Sequence, residues 1–282
     1  MHAKLKGVPK LAARRNAFRD LHSTGCFVIP NPWNIGTAKY LQRLGFRALA
    51  TTSAGFAFAH GVPDGWVSRH QMLAHIAEIV SATDLPVNAD FGNGFADDPA
   101  QVEANVTACV ATGIAGLSIE DATGDQSQPL YEFSLAVERI KAARSAIDDC
   151  GFAVLLTARA ECYLTGHAEP FAESVRRLKA YAEAGADVLY APGVSKREEM
   201  QAIVSAVAPK PVNMLMSSDL GLSVSDVAEM GVRRISVGST LARAAWTGFV
   251  RCSREIAQQG TFTGFAGLMP YDEVNGLFDR KL

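Results

Sequence analysis

No hydrophobic run in the 282-residue chain is long. A charge, a glycine or a proline breaks each one well short of the roughly 20 apolar residues needed to cross a bilayer, so no membrane partner is expected. Charge of one sign is equally scarce: 27 Lys and Arg are interspersed with 29 Asp and Glu, for a net charge of −2. No like-charged run could grip a phosphate backbone, and nucleic acid is not an expected partner either. Cysteine is sparse and unpatterned. Cys26, Cys109, Cys150, Cys162 and Cys252 form an odd set without Cys-x-x-Cys spacing, which argues against a disulfide framework and against a zinc site. The segment from Met1 to Arg19 is basic but has no continuous apolar core and no small-residue cleavage site. It does not read as a secretory signal, and a cytoplasmic location is expected.

The chain does have the material for a large core: 48% of its residues are hydrophobic and 20% charged, as in ordinary globular proteins. Its length suits one closed α/β barrel, which takes about 250 residues, or two small domains. A recurring unit favours the barrel: an amphipathic helix, a glycine, then a short β-branched run. Gly45, Gly113, Gly151, Gly185 and Gly231 stand at these joints, ahead of runs at 46–50, 114–119, 152–156, 188–190 and 232–237. Glycine is favoured just past a helix, where a positive φ is often needed. Runs at 26–30, 86–90 and 211–215 bring the strands to eight. The helices show three- and four-residue apolar spacing, as in Met72, Leu73, Ile76, Ile79 and Val80, and Asp98-Pro99 reads as a helix start. The expected fold is a (β/α)8 TIM barrel formed by residues 1–282 as a single domain. An open doubly wound sheet is the runner-up, weakened by Asn31-Pro32-Trp33-Asn34 where a Gly-x-Gly-x-x-Gly turn would stand. Residues from about 239 to 282 exceed what a barrel needs. They are expected to pack against a neighbouring subunit through Trp246 and Phe249, or else to cap their own barrel.

Barrel chemistry sits where strands end. The ends read Ser53 after the second strand, Asp90 after the third, Glu120-Asp121 after the fourth and Arg159 after the fifth; Tyr190 ends the sixth and Asn213 lies in the seventh. Carboxylates gathered in a confined site need a cation or a proton between them, and oxygen-only ligands suit a hard ion such as Mg²⁺. The bland alternative is a structural Glu120–Arg159 ion pair. No strand ends in lysine, so a Schiff-base aldolase mechanism lacks its nucleophile.

The stretch Pro86-Val87-Asn88-Ala89-Asp90-Phe91-Gly92-Asn93-Gly94, then Gly116-Leu117-Ser118-Ile119-Glu120-Asp121 and Thr157-Ala158-Arg159, resembles the isocitrate lyase and phosphoenolpyruvate mutase superfamily. The likeness runs from Asn31 through Ser53-Ala54-Gly55 and Gly61-Val62-Pro63-Asp64 to the eighth strand. It implies a barrel that exchanges a C-terminal helix between subunits of a dimer or tetramer. It also implies Mg²⁺, with Mn²⁺ as a substitute, and enolate chemistry on a small anionic 2-oxo or 2-hydroxy acid. By motif, Asp64, Asp90 and Glu120 resemble metal ligands, with Asp64 and Glu120 also catalytic. Arg159 resembles the arginine that neutralises a developing oxyanion. Ser53, Ala54 and Gly55 resemble the substrate carboxylate cradle, with Asn88, Arg159 and Asn213 completing the substrate-binding set.

Two departures shape the expectation. Asn88 replaces the first acid of the family's Asp-x-Asp pair, and Asp121-Ala122-Thr123-Gly124-Asp125-Gln126 replaces the lyases' Cys-bearing loop; the mutases' Lys-Thr-Asn loop is missing too. A Mg²⁺-dependent carbon–carbon lyase or decarboxylase is the leading expectation. Phosphonomutase or P–C cleavage, and a non-catalytic 2-oxo-acid-binding barrel, are the alternatives. His60, His167 and Cys162 are lesser candidates for reaching the substrate, each more often a bystander in such loops. Gly238-Ser239-Thr240 is a weak phosphate signal, better read as a helix cap, and the Asn105-Val106-Thr107 triplet falls on a helix and carries no meaning as a glycosylation site.

Overall fold

The computed structural model describes residues 8–279; both chain ends of the expected single domain lie outside the described residues. Strands and helices alternate. The order is α1 (Val8–Leu21), β1 (Phe27–Ile29), α2 (Ile35–Arg43), β2 (Leu49–Ala50), α3 (Ser53–Ala59), α4 (Arg69–Ala82), β3 (Val87–Asp90), α5 (Pro99–Val110), β4 (Gly116–Glu120) and α6 (Phe133–Asp149). It continues with β5 (Leu155–Arg159), α7 (Pro170–Glu183), β6 (Val188–Tyr190), α8 (Arg197–Val207), β7 (Val212–Leu215), α9 (Val224–Glu229), β8 (Arg234–Ser236), α10 (Thr240–Gln259), a 3₁₀ turn (Thr263–Phe265) and α11 (Tyr271–Gly276).

All strand pairs are parallel, in the order β1-β8-β7-β6-β5-β4-β3-β2. The remaining seam is bridged where Ala50 N–H donates to the Pro30 carbonyl at 3.1 Å. The result is a (β/α)8 TIM barrel. The five joint glycines all have positive φ, and Asp98 caps α5 by accepting from Gln101 N–H at 3.0 Å. Two strands begin three residues later than their apolar runs: β2 at Leu49 and β5 at Leu155. In the second case Phe152 is half exposed in a turn closed by Val154 N–H on the Phe152 carbonyl. The shift makes Arg159 the last residue of β5, paired in register with Glu120 of β4 and Tyr190 of β6.

The barrel interior is layered. Phe18 of α1 plugs the N-terminal mouth together with Phe27, Ile29, Ala48, Ala50, Ala115 and Leu155. Above this plug the interior turns polar, with buried Asn88, Ser118, Thr157, Asn213 and Arg234, instead of the branched apolar side chains that usually fill such barrels. The larger apolar core lies outside, between the strands' outward faces and the helices. Beyond the barrel, α10 buries only Ala242, while Trp246, Phe249, Ile256, Phe262, Phe265, Leu268 and Tyr271 are exposed.

Candidate active site

The C-terminal ends of the strands open into a cleft of about 430 Å³ lined by Ser53, Ala54, Asp64, Asp90, Glu120, Arg159, Glu161 and Tyr190, among others. Its centre is one guanidinium among carboxylates. Arg159 Nη1 is 3.0 Å from Asp90 Oδ1, Nη2 is 3.2 Å from Glu120 Oε2 and Nε is 2.8 Å from Glu161 Oε1. Side chains two apart on a strand share a face, so β3, β4 and β5 deliver Asp90, Glu120 and Arg159 inward together. Asp64, on the exposed loop after α3, also lines the cleft.

Four carboxylates thus surround one arginine. Burial pushes Glu120 up to about 8 against the pull of Arg159, and Glu161, Asp90 and Asp64 push in the same direction as burial. Asp64 is raised by burial and by Asp90, and Glu161 by burial. The excess of negative charge calls for a cation. Among the described residues, no three His, Cys, Asp or Glu side chains form a ready-made cage for an ion. An oxygen-only donor set without such a cage suits Mg²⁺, which keeps several of its waters and takes only one or two carboxylates.

Asp90 is held from four sides. Its Oδ2 accepts from Ser53 N–H and from Ser53 Oγ, both at 2.9 Å, its Oδ1 from Arg159, and its own N–H donates to Thr51 Oγ1 at 2.8 Å. Thr52 caps α3 through Gly55 N–H at 3.2 Å. With the Ser53 and Gly55 amides engaged, the Ala54 amide is left as the free donor of that first turn. Gly55 is required there by space: a Cβ would stand 2.7 Å from Thr52 Cγ2 and 3.1 Å from Trp33 Cβ.

Several expected participants stand elsewhere. Asp121, next to Glu120, points to the opposite face, where Tyr181 Oη donates to its Oδ2 at 2.6 Å and Arg177 Nη1 lies 3.1 Å away. It is a buried structural anchor, because successive strand residues alternate faces. Asn88 and Asn213 do not line the cleft; they line a smaller chamber of about 50 Å³ beneath it, bounded also by Ser118, Arg234 and Ser236. Asn88 Oδ1 has no hydrogen-bond partner. Cys162 is buried, and burial pushes its thiol up to about 11. His60 packs tilted against the Phe56 ring, and His167 accepts from Glu169 N–H. Asn105 is buried with its amide donating to the Gly94 carbonyl, as its helical placement suggested. Ser239 stands at the N-cap of α10 as expected, its side chain making no capping bond, and it also lines the cleft. Glu161 was missed. Its signal was present, since Arg159-Ala160-Glu161 repeats the two-residue spacing that puts side chains on one face.

The phosphoenolpyruvate phosphomutase family model matches residues 18–257. A presumed lyase/mutase of Burkholderia cenocepacia J2315 superposes with a TM-score of 0.91 at 45% identity, covering 97% of this chain and 98% of that one. The 2,3-dimethylmalate lyase of Eubacterium barkeri is 31% identical over 194 residues, 66% of this chain and 65% of that protein. A phosphonopyruvate hydrolase, solved in complex with oxalate and Mg²⁺, superposes with a TM-score of 0.81 at 26% identity, covering 94% of each chain. With the barrel, the strand-end carboxylates and the family match in agreement, the chain belongs to the isocitrate lyase and phosphoenolpyruvate mutase superfamily of enzymes.

Proposed function

We propose that this protein is a Mg²⁺-dependent lyase or decarboxylase that cleaves a carbon–carbon bond in a small 2-oxo or 2-hydroxy acid or diacid through an enolate. The observation that carries the reading is the single Arg159 guanidinium set among Asp90, Glu120 and Glu161 at 2.8–3.2 Å, with Asp64 at the mouth of the same cleft. Asp90, Glu120 and Asp64 are the residues that would hold the ion, directly or through water. When bound there, Mg²⁺ supplies the positive charge that draws electrons toward the substrate's oxygens. The phosphonopyruvate hydrolase bound to oxalate and Mg²⁺ supports this choice of ion in a related barrel.

The chain's own residues do the rest. The free Ala54 amide at the start of α3 offers a donor to the substrate carboxylate. Arg159 carries fixed donors to the point where negative charge develops, which saves reorganisation during the reaction. Asp90, anchored by Ser53 and Thr51, holds Arg159 in place. Tyr190 covers the guanidinium, with Arg159 Cζ 5.1 Å from its ring centroid, and limits water at the charged centre. Arg159 is the cleft's one lysine or arginine among the described residues, so a transferring phosphoryl group, which carries more charge than an enolate oxygen, would find no second basic side chain. That favours C–C over P–C cleavage.

The test is a screen of the purified protein with Mg²⁺ against oxaloacetate, substituted malates, isocitrates and phosphonopyruvate, read by pyruvate release. Turnover of a 2-oxo or 2-hydroxy diacid is the expected result. Turnover of phosphonopyruvate alone would transfer the reading to P–C cleavage, and no turnover with tight oxalate binding would leave a binding barrel.

A further inference from the structure

Phe95 is the one residue other than glycine with a positive φ among the described residues, at 58°. A bulky side chain is strained in that conformation, which persists only where the surroundings impose it. Here they do. The Phe95 N–H donates to Asn93 Oδ1 at 3.0 Å, and the Asn105 amide donates to the Gly94 carbonyl at 2.8 Å. Arg139 donates to the carbonyls of Asn93, Ala96 and Asp97. Two polar side chains, each 1% exposed, are thus committed from α5 and α6 to the backbone of one short loop. Phe95 itself lines the cleft, half-buried, with its ring edge-on to the buried Phe91 at 5.1 Å between centroids. Other parts of the cleft wall match it: Val67 and Met72, Leu164 beyond β5, and Leu215 at the end of β7. Leu215 stands two residues after Asn213 and shares its inward face, and a Cβ at Gly238 would lie 3.1 Å from Leu215 Cδ1, so β8 is followed by a residue without a side chain where that leucine needs room. The one cation among the cleft's described lining residues, Arg159, is already set among carboxylates.

We propose that the substrate carries a short alkyl group beyond its 2-oxo or 2-hydroxy acid end, and that Phe95 is the residue that selects it. The inference rests on the enolate reading and narrows it: alkyl-substituted malates and their 2-oxo counterparts fit, and isocitrates, with a third carboxylate, do not. An alkyl group against Phe95 and its apolar neighbours exchanges water for apolar surface, a gain proportional to the area covered. A carboxylate in that place would lose its water with no cation of its own to meet, in a cleft that already holds four acidic side chains. With its backbone held by Asn105 and Arg139 and its ring against Phe91, Phe95 has little freedom left to lose when a ligand meets it.

The experiment displaces oxalate from the Mg²⁺-loaded protein with 2-oxo acids and reads their affinities by calorimetry. Pyruvate, 2-oxobutanoate and 2-oxopentanoate differ by one CH₂ each, and 2-oxoglutarate has the chain of the last with a carboxylate at its end. In the wild type each added CH₂ should tighten binding by about fourfold, the worth of burying one such group. 2-Oxoglutarate should bind about tenfold or more weakly than 2-oxopentanoate. Phe95→Asn removes the ring, and asparagine tolerates the left-handed conformation, so the loop should keep its path. A merely structural role would weaken every acid alike, whereas the proposal expects the ratio of 2-oxopentanoate to pyruvate affinity to fall from about fifteenfold to about threefold or less. Should Phe95→Asn not fold, Phe95→Gly, which relieves the backbone strain, is read the same way. Wild-type binding of 2-oxoglutarate within about threefold of 2-oxopentanoate would overturn the alkyl class, and an unchanged ratio in the variant would overturn the role of Phe95; either leaves the enolate reading intact. Oxalate that binds the wild type no better with Mg²⁺ than without it overturns the enolate reading itself, and this inference with it.

Discussion

At the scale of single residues, the site is a competition for one guanidinium. Arg159 meets Asp90, Glu120 and Glu161 through three different nitrogens, and its planar fork makes this possible. Arg159→Lys keeps the charge but offers a point donor where a fork is needed. Exchange of pyruvate C3 hydrogens in deuterated water, followed by proton NMR, should fall by on the order of a hundredfold or more, the usual cost of removing an oxyanion partner. Near wild-type exchange would place charge development elsewhere. Asn88 tells a different story from the one its motif suggests. It is 4% exposed and two residues before Asp90 on the same strand, so it lies below the cleft. Asn88→Asp would bury a carboxylate with no donor yet assigned to it, and the expected outcome is a lower melting temperature with unchanged Mg²⁺ affinity. Tighter Mg²⁺ binding in this variant would instead put position 88 within reach of the ion.

At the scale of elements, what could be read in the chain was what periodicity encodes. Glycine joints, helix spacing and the Asp98-Pro99 cap gave the alternation of strands and helices, and the strand-end residues gave Asp90, Glu120 and Arg159. The polar layer could not be read that way. Asn88, Ser118, Thr157, Asn213 and Arg234 come from five strands, and nothing in any one strand says that the barrel's closure will stack them. Asp121 was misplaced for the related reason that adjacency in sequence means opposition across a strand. The segment after α10 depends on another local device: Glu255 accepts from Thr261 Oγ1 and from the amides of Thr263 and Gly264, which holds its carboxyl down at about 2. Its folded value lies below the usual 4.5, so this support is fully present above pH 4.5 and is lost as pH falls toward 2. Limited proteolysis near residue 260 should therefore quicken across that window, and in Glu255→Gln it should already be fast at neutral pH. A variant cut no faster than wild type would remove Glu255 from the anchor.

At the scale of the whole molecule, α10 and the segment after it leave Trp246, Phe249, Ile256, Phe262, Phe265, Leu268 and Tyr271 exposed, the kind of apolar surface that marks contact with a partner. We propose that a second copy covers it, by helix exchange or by face-to-face packing. Sedimentation at micromolar concentration should give a dimer or larger, and Trp246→Glu with Phe249→Glu should shift it toward monomer; a monomeric wild type would contradict the proposal. The central claim, that the strand-end carboxylates assemble a Mg²⁺ site for the enolate of a 2-oxo acid, is tested most directly by calorimetry with oxalate, which has the shape and charge of that enolate. Oxalate should bind the wild-type protein only when Mg²⁺ is present, and Glu120→Gln should weaken both Mg²⁺ and Mg²⁺-dependent oxalate binding by at least tenfold while the barrel stays folded. Oxalate affinity that is the same with and without Mg²⁺, or that ignores the loss of the Glu120 carboxylate, would contradict it and return Glu120 and Arg159 to a structural ion pair.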